Sequence, residues 1–237
     1  MQIATGPDSS NNPDVSRMGA LTRRLSSQDF FEFESLKTQF SCPANIVLFV
    51  EEEAPDNVLF LLAGQVKLSM NSRVGKRLIF GIANRGETLG LSSALSGSPY
   101  NFTAETVSPC IIASLKRQDF VEFLMRYPSA FQTAARELSL DFARACEHVR
   151  RLGLEITATA KLARLLLEWC ATGRRTERGT RFVCTLTHGE IGECIGSSRE
   201  TVTRIFTDLK CRELLESRGA TLIISNRRAL EIYAGVA

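Results

Sequence analysis

The sequence predicts an α+β protein, in which an all-β part is followed by a long amphipathic helix and then by a small helical part that closes with a β-hairpin. Three observations carry this. Short apolar runs between about Phe40 and Leu115 are broken by turn residues; an apolar stripe with spacings of 4 and 3 begins at Phe131; and a capped helix, a glycine turn and a second amphipathic helix follow one another after Thr187.

At 237 residues and 44% hydrophobic side chains, the chain is long enough for two domains with separate cores. No apolar run approaches the roughly 20 residues that cross a bilayer, and the N-terminus is polar where a signal peptide would be apolar. A cytoplasmic protein with no membrane partner is expected. The seven cysteines include no pair at CxxC spacing, so buried free thiols are expected. With only His148 and His188 available, a zinc site would need scattered ligands, and neither a metal nor another cofactor is expected. The net charge is +3, but after residue 160 there are 13 Lys and Arg against 9 Asp and Glu, and before it 16 against 17. The basic excess is C-terminal, which is consistent with attraction to phosphate.

In chain order, residues 1–25 are rich in Ser, Asn, Asp, Pro and Gly and are expected to form a flexible leader. Residues 26–128 form the β domain. Its runs NIVLFV, NVLFLLAGQVKLSM, KRLIFGIA, ETLGL, FTAETV and CIIASL are punctuated by Pro55, Asp56, Gly64, Gly75, Gly86 and Gly97, as in a barrel or sandwich. Gly64, inside an apolar run, marks a hairpin turn or a bulge. A short helix over 119–126 is closed by Pro128, which suits the first turn of the next helix. In residues 129–157, Phe131, Ala135, Leu138, Phe142, Ala145, Val149, Leu152 and Ile156 repeat as a heptad stripe. So long and narrow a seam predicts a coiled coil between two copies of the chain. Residues 158–237 begin with the helix KLARLLLEWCATG and a basic hairpin or linker, GRRTERGTRFVCTLT.

The next segment carries the chemistry. Thr187 and Glu190 have capping-box spacing, and a short helix over 190–194 turns Ile191 and Ile195 inward. Gly196 permits the left-handed turn, and Ser197 or Ser198 can cap the following helix. That helix buries Val202, Ile205, Phe206 and Leu209 and leaves Arg199, Glu200 and Arg204 on its N-terminal outer face. Arginine suits the guanine O6 and N7 acceptors and glutamate the cytosine amino group, so these three are the expected base-reading residues on double-stranded DNA. Thr187, Ser198, Thr201 and, at the tip of a hairpin wing over 214–225, Arg218 are expected at backbone phosphates.

On the residues IGECIGSSRETVTRIFTDLK the chain resembles the Crp/Fnr superfamily, whose helix-turn-helix includes G-x-S-R-E-T-V-x-R. The resemblance covers about residues 27–230. It implies a cyclic-nucleotide-binding-like β-roll (a double-stranded β-helix), a long dimerisation helix and a C-terminal winged helix-turn-helix. It also implies a homodimer on a palindrome of TGTGA-like or TGNGA-like half-sites, contact with RNA polymerase, and a β-roll that changes the hinge near 152–160 when it senses a signal.

The sequence departs from that family where cyclic AMP binds. Members that bind it carry Gly-Glu-Leu followed by Arg-Ser or Arg-Thr, whereas the matching residues here are Gly90, Leu91 and Ser92, then Tyr100 and Asn101. The carboxylate for the ribose and the arginine for the phosphate are absent, and the adenine-facing Thr-Ser pair falls near Cys146 and Glu147. These five residues are the candidate pocket for a small-molecule effector other than cyclic AMP. A constitutive regulator with a scaffold-only β domain is the alternative, followed by a redox response through Cys42 and Cys110. A cupin-like catalytic barrel is disfavoured by the lack of histidine before residue 148, and no catalytic residues are expected.

Overall fold

A computed structural model describes residues 25–154, 157–171 and 173–235; most of the expected leader and Ile156 lie outside the described residues. The elements in order are α1 (Ser27–Leu36), β1 (Thr38–Cys42), β2 (Val47–Phe49), β3 (Asn57–Ala63), β4 (Gln65–Asn71), β5 (Arg77–Asn84), β6 (Thr88–Leu89), α2 (Leu91–Ser96), β7 (Thr103–Thr106), β8 (Cys110–Lys116), α3 (Arg117–Arg126) and α4 (Pro128–Gly153). After these come α5 (Ala158–Ala171), β9 (Arg174–Thr176), β10 (Gly179–Val183), α6 (His188–Ile195), α7 (Arg199–Cys211), β11 (Leu215–Arg218), β12 (Thr221–Ile224) and α8 (Arg227–Ala234). The fold is α+β. Its described residues fall into two compact units, one within Met1–Val66 and Ala83–Leu138, the other within Lys67–Ile82 and Ser139–Ala237.

The N-terminal strands form two four-stranded sheets, ordered β1-β8-β3-β6 and β2-β7-β4-β5. In the first, β3 is bonded along both edges, and its five central residues Val58, Leu59, Phe60, Leu61 and Leu62 are all buried. Such two-sided burial explains why the sequence shows a continuous apolar run there rather than an alternating one. Gly64, at φ 90°, makes the corner between β3 and β4, and the register of β3 on β8 slips just before it, between Leu61 and Ala63. A side chain at this corner is excluded, because a Cβ would lie 2.4 Å from the Pro109 carbonyl oxygen.

Helix α1 is an element the sequence reading did not anticipate. Ser26 caps it, accepting a hydrogen bond from the Asp29 amide while the Asp29 carboxylate answers the Ser26 amide. The helix buries Phe33 edge-on against Phe60 at 5.2 Å and Phe123 at 5.6 Å. Burying such a ring stabilises the unit by about 1.5–3 kcal/mol.

Pro128 opens α4, a helix of 26 residues. Its first part buries Ala130 and Ala134 in the core of the N-terminal unit, with Leu138 packed at the margin. Its second part buries His148 and Arg151 in the other unit. The face carrying Phe131, Ala135, Phe142 and Val149 is exposed, the two phenylalanines at 54% and 72% and the valine at 69%.

The second unit is built around Leu162, Leu166, Ile191, Ile195, Val202, Leu209 and Leu230, and it includes Ile79 from β5. The sheet β11-β12-β10-β9 flanks this core. No helix among the described residues is long and apolar enough to cross a membrane. All seven cysteines are free thiols.

Candidate nucleic-acid interface

Helices α6 and α7 form a tight helix-turn-helix. Thr187 caps α6 by accepting the Glu190 amide, and the Glu190 carboxylate accepts the Thr187 amide at 2.9 Å. The Thr187 hydroxyl also donates to Glu190 at 3.0 Å, so a phosphate contact from it requires exchange of that bond. Gly196 takes the left-handed conformation at φ 65°, and the Ser197 amide bonds back to the Gly192 carbonyl at 2.9 Å. Gly192, which the sequence reading passed over, sets how closely the turn folds. A Cβ there would come within 2.7 Å of the Ser197 carbonyl oxygen, so any side chain would push the turn off α6.

Ser198 caps α7 by accepting the Thr201 amide at 3.2 Å. Val202, Ile205, Phe206 and Leu209 are buried beneath the helix, while Arg199, Glu200, Thr203 and Arg204 are exposed and Thr201 is half-buried. Among the described residues neither Arg199 nor Arg204 makes a salt bridge, so both guanidinium groups are available to a ligand. The Glu200 carboxyl is held below its ordinary pKa by its own backbone amide, by Ser198 and by the neighbouring Arg199, and so is ionised at neutral pH. A row of cations and one carboxylate over a helix N-terminus is the arrangement that meets base edges and phosphates in a major groove. Arg218 is exposed at the tip of the β11–β12 hairpin, paired across the turn with Thr221.

His188 joins the two helices. Its Nδ1 lies 2.9 Å from the Thr203 hydroxyl, which itself donates to the Arg199 carbonyl, and its ring packs on Phe206 at 4.6 Å. Because that hydroxyl spends its hydrogen on Arg199, the imidazole is the donor. Burial, then Lys210 and Arg199, hold the His188 pKa below its ordinary value. Nothing local in the sequence signals this contact, which spans 15 residues.

A second support comes from β4. Lys67, 5% exposed, donates to Glu190 at 2.8 Å, so the carboxylate that caps α6 is also bound by a buried ammonium from the β4–β5 hairpin. Burial pushes the Glu190 pKa up, but the bonds from Lys67 and Thr187 outweigh it and the net shift is downward. These residues lie 123 positions apart, beyond what spacing in the sequence can show.

The effector-pocket candidates do come together. Gly90, at φ 77°, caps α2, Leu91 is buried, and the Asn101 side-chain amide donates to the Ser92 hydroxyl at 3.2 Å. Tyr100 occupies the space between them. Its ring stacks on Phe49 at 4.0 Å, its hydroxyl donates to the Asn57 carbonyl at 2.7 Å, and a Cβ on Gly90 would lie 2.8 Å from it. An aromatic ring, 6% exposed, therefore stands where the resemblance expects an arginine to face a cyclic phosphate. Among the described residues no group of three or more His, Cys, Asp or Glu side chains could hold a metal ion.

Comparison with known proteins agrees with this geometry. Residues 160–233 match the profile of the Crp-like helix-turn-helix domain, and residues 39–127 that of the cyclic nucleotide-binding domain. The transcriptional activatory protein AadR of Rhodopseudomonas palustris is 30% identical over 201 residues, covering 83% of this chain and 81% of that protein. A CRP-like cAMP-activated global transcriptional regulator of Mycobacterium tuberculosis is 24% identical, with 92% of each chain covered. In fold, the chain is similar to FixK2 from Bradyrhizobium japonicum, with a TM-score of 0.74, 22% identity, and coverage of 83% of this chain and 96% of that one. The chain belongs to the Crp/Fnr family of DNA-binding transcription regulators.

Proposed function

We propose that the protein acts as a homodimer, paired along the exposed stripe of α4, and sets its two α7 helices into successive major grooves of a palindrome with TGTGA-like or TGNGA-like half-sites. In this reading Arg199, Glu200 and Arg204 meet base edges, and Ser198, Thr201, Thr187 and Arg218 meet phosphates. The observation that carries it is the outer face of α7, where two arginines without salt bridges flank an ionised glutamate on a capped helix. AadR is named a transcriptional activatory protein, which supports an output through RNA polymerase.

Cyclic AMP is not the effector in this reading, although several relatives are named cAMP-activated. The packed Tyr100 favours either a different small molecule or a β-roll that serves as a scaffold without one. Selection from a random duplex pool followed by competition titration tests the proposal. The native chain is expected to enrich a palindrome, and Arg199→Ala with Arg204→Ala to lower specific affinity at least about 30-fold, since each bidentate arginine–guanine pair discriminates by about 1–3 kcal/mol. Unchanged selectivity in the double variant would overturn it.

A further inference from the structure

Cys42 ends β1, Cys110 begins β8, and the antiparallel register sets them directly opposite each other. Side chains so opposed share one face of the sheet, and their Cα atoms lie about 4.5 or about 5.5 Å apart, depending on the type of ladder pair. Both distances fall within the roughly 4.4–6.8 Å that a disulfide spans. The surroundings also favour a bond here. The Cys110 sulfur sits against Gly64, where a Cβ would approach it to 2.5 Å, so the corner glycine leaves it room. Cys110 donates weakly to the carbonyls of Ser108 at 3.2 Å and Gln65 at 3.4 Å, and the Cys110 amide hydrogen-bonds the Cys42 thiol. Cys42 is half-buried and Cys110 buried, so oxidant reaches Cys42 first.

We propose that Cys42 and Cys110 are a reversible dithiol–disulfide site in the β-roll, closed by a hydroperoxide. The Cys42 thiolate attacks the peroxide, one O–O bond breaks, and Cys42 becomes a sulfenic acid as the oxidant leaves as water or alcohol. The Cys110 thiolate then attacks the sulfenic sulfur, the S–S bond forms and water departs, so two thiols and one hydroperoxide give one disulfide with two molecules of hydroxylic product. Burial raises the pKa of both thiols, which makes the site slow and suits it to sustained rather than brief oxidant exposure. Closure withdraws the Cys110 thiol from the carbonyl of Gln65, the first residue of β4, so the bond would be felt at the start of the β4–β5 hairpin.

The test uses the full chain treated with hydrogen peroxide, denatured with a thiol-blocking reagent present, and digested without reductant for mass spectrometry. The expected result is one peptide pair joined through Cys42 and Cys110, with the other five thiols blocked and the link removed by dithiothreitol. Cys42→Ser is expected to abolish the link and leave Cys110 blocked; the map of the native chain decides the matter even if that variant folds poorly. A link between other cysteines, such as Cys184 and Cys194, or peroxide treatment that oxidises Cys42 without joining it to Cys110, would overturn the proposal.

Discussion

Lys67 lies in an almost dry position against Glu190, and removing its side-chain nitrogen leaves a capping carboxylate short of a partner. Lys67→Met is expected to lower stability by about 1.5–3 kcal/mol near neutral pH, in the range of hydrogen bonds to charged groups. Since the folded pKa of Glu190 is depressed, its contribution is present above the unfolded carboxylate value and is lost as pH falls through the folded one. The gap between variant and native protein in urea unfolding should therefore close on acidification. His148 titrates with the opposite chemistry and the same slope. Burial, reinforced by Arg151, lowers its pKa to about 4, and an Arg151 nitrogen lies 2.5 Å from its Nδ1. The unfolded chain takes up the proton first, so stability should fall by about 3 kcal/mol between roughly pH 6.5 and 4. His148→Gln, which keeps an acceptor for Arg151, is expected to flatten that part of the pH–stability curve.

At the scale of elements, α4 exposes Phe131, Phe142 and Val149 along one line. In a two-fold interface each such residue is used twice, so one substitution acts on two contacts. Phe142→Glu is expected to weaken the proposed dimer by about two to four orders of magnitude in sedimentation equilibrium, at about 1.5–3 kcal/mol for each of the two buried rings, with far-ultraviolet circular dichroism unchanged. The stripe was legible in the sequence because it repeats at helical spacing, and α7 because its cap, turn glycine and buried residues are local signals. Gly192, the His188–Thr203 contact and the Lys67–Glu190 pair were not legible, since each depends on which backbone or strand approaches in three dimensions. Helix α1 lay between these cases. Its Ser26 and Asp29 have cap spacing, but the segment adjoins a polar stretch and carries only one fully buried residue, Phe33.

For the whole molecule, binding of a ligand to the native state alone raises its stability, by about 2.7 kcal/mol at a hundred times the dissociation constant. That amounts to several degrees for a chain of this size. Cyclic AMP at millimolar concentration is expected to leave the melting temperature within about 1 °C of the unliganded value, as read by calorimetry or dye-based thermal shift. The overall α+β plan was readable from composition and punctuation, whereas the grouping of Lys67–Ile82 with the C-terminal half of the chain was not. A hairpin carries no sequence mark of the core it will join.

Toward any molecule that would take its place between Gly90 and Phe49, Tyr100 behaves as a competitor on a leash. Covalent attachment keeps its local concentration constant, so neither dialysis nor dilution can clear it. A metabolite seeking that space would see an affinity scaled down by the small fraction of time the ring swings aside, with its stacking on Phe49 and its bond to Asn57 both given up. Shortening that one side chain would empty its volume beside Phe49 and Asn57 while leaving α7 unaltered, so that outside molecules could enter a position the protein now fills with a part of itself.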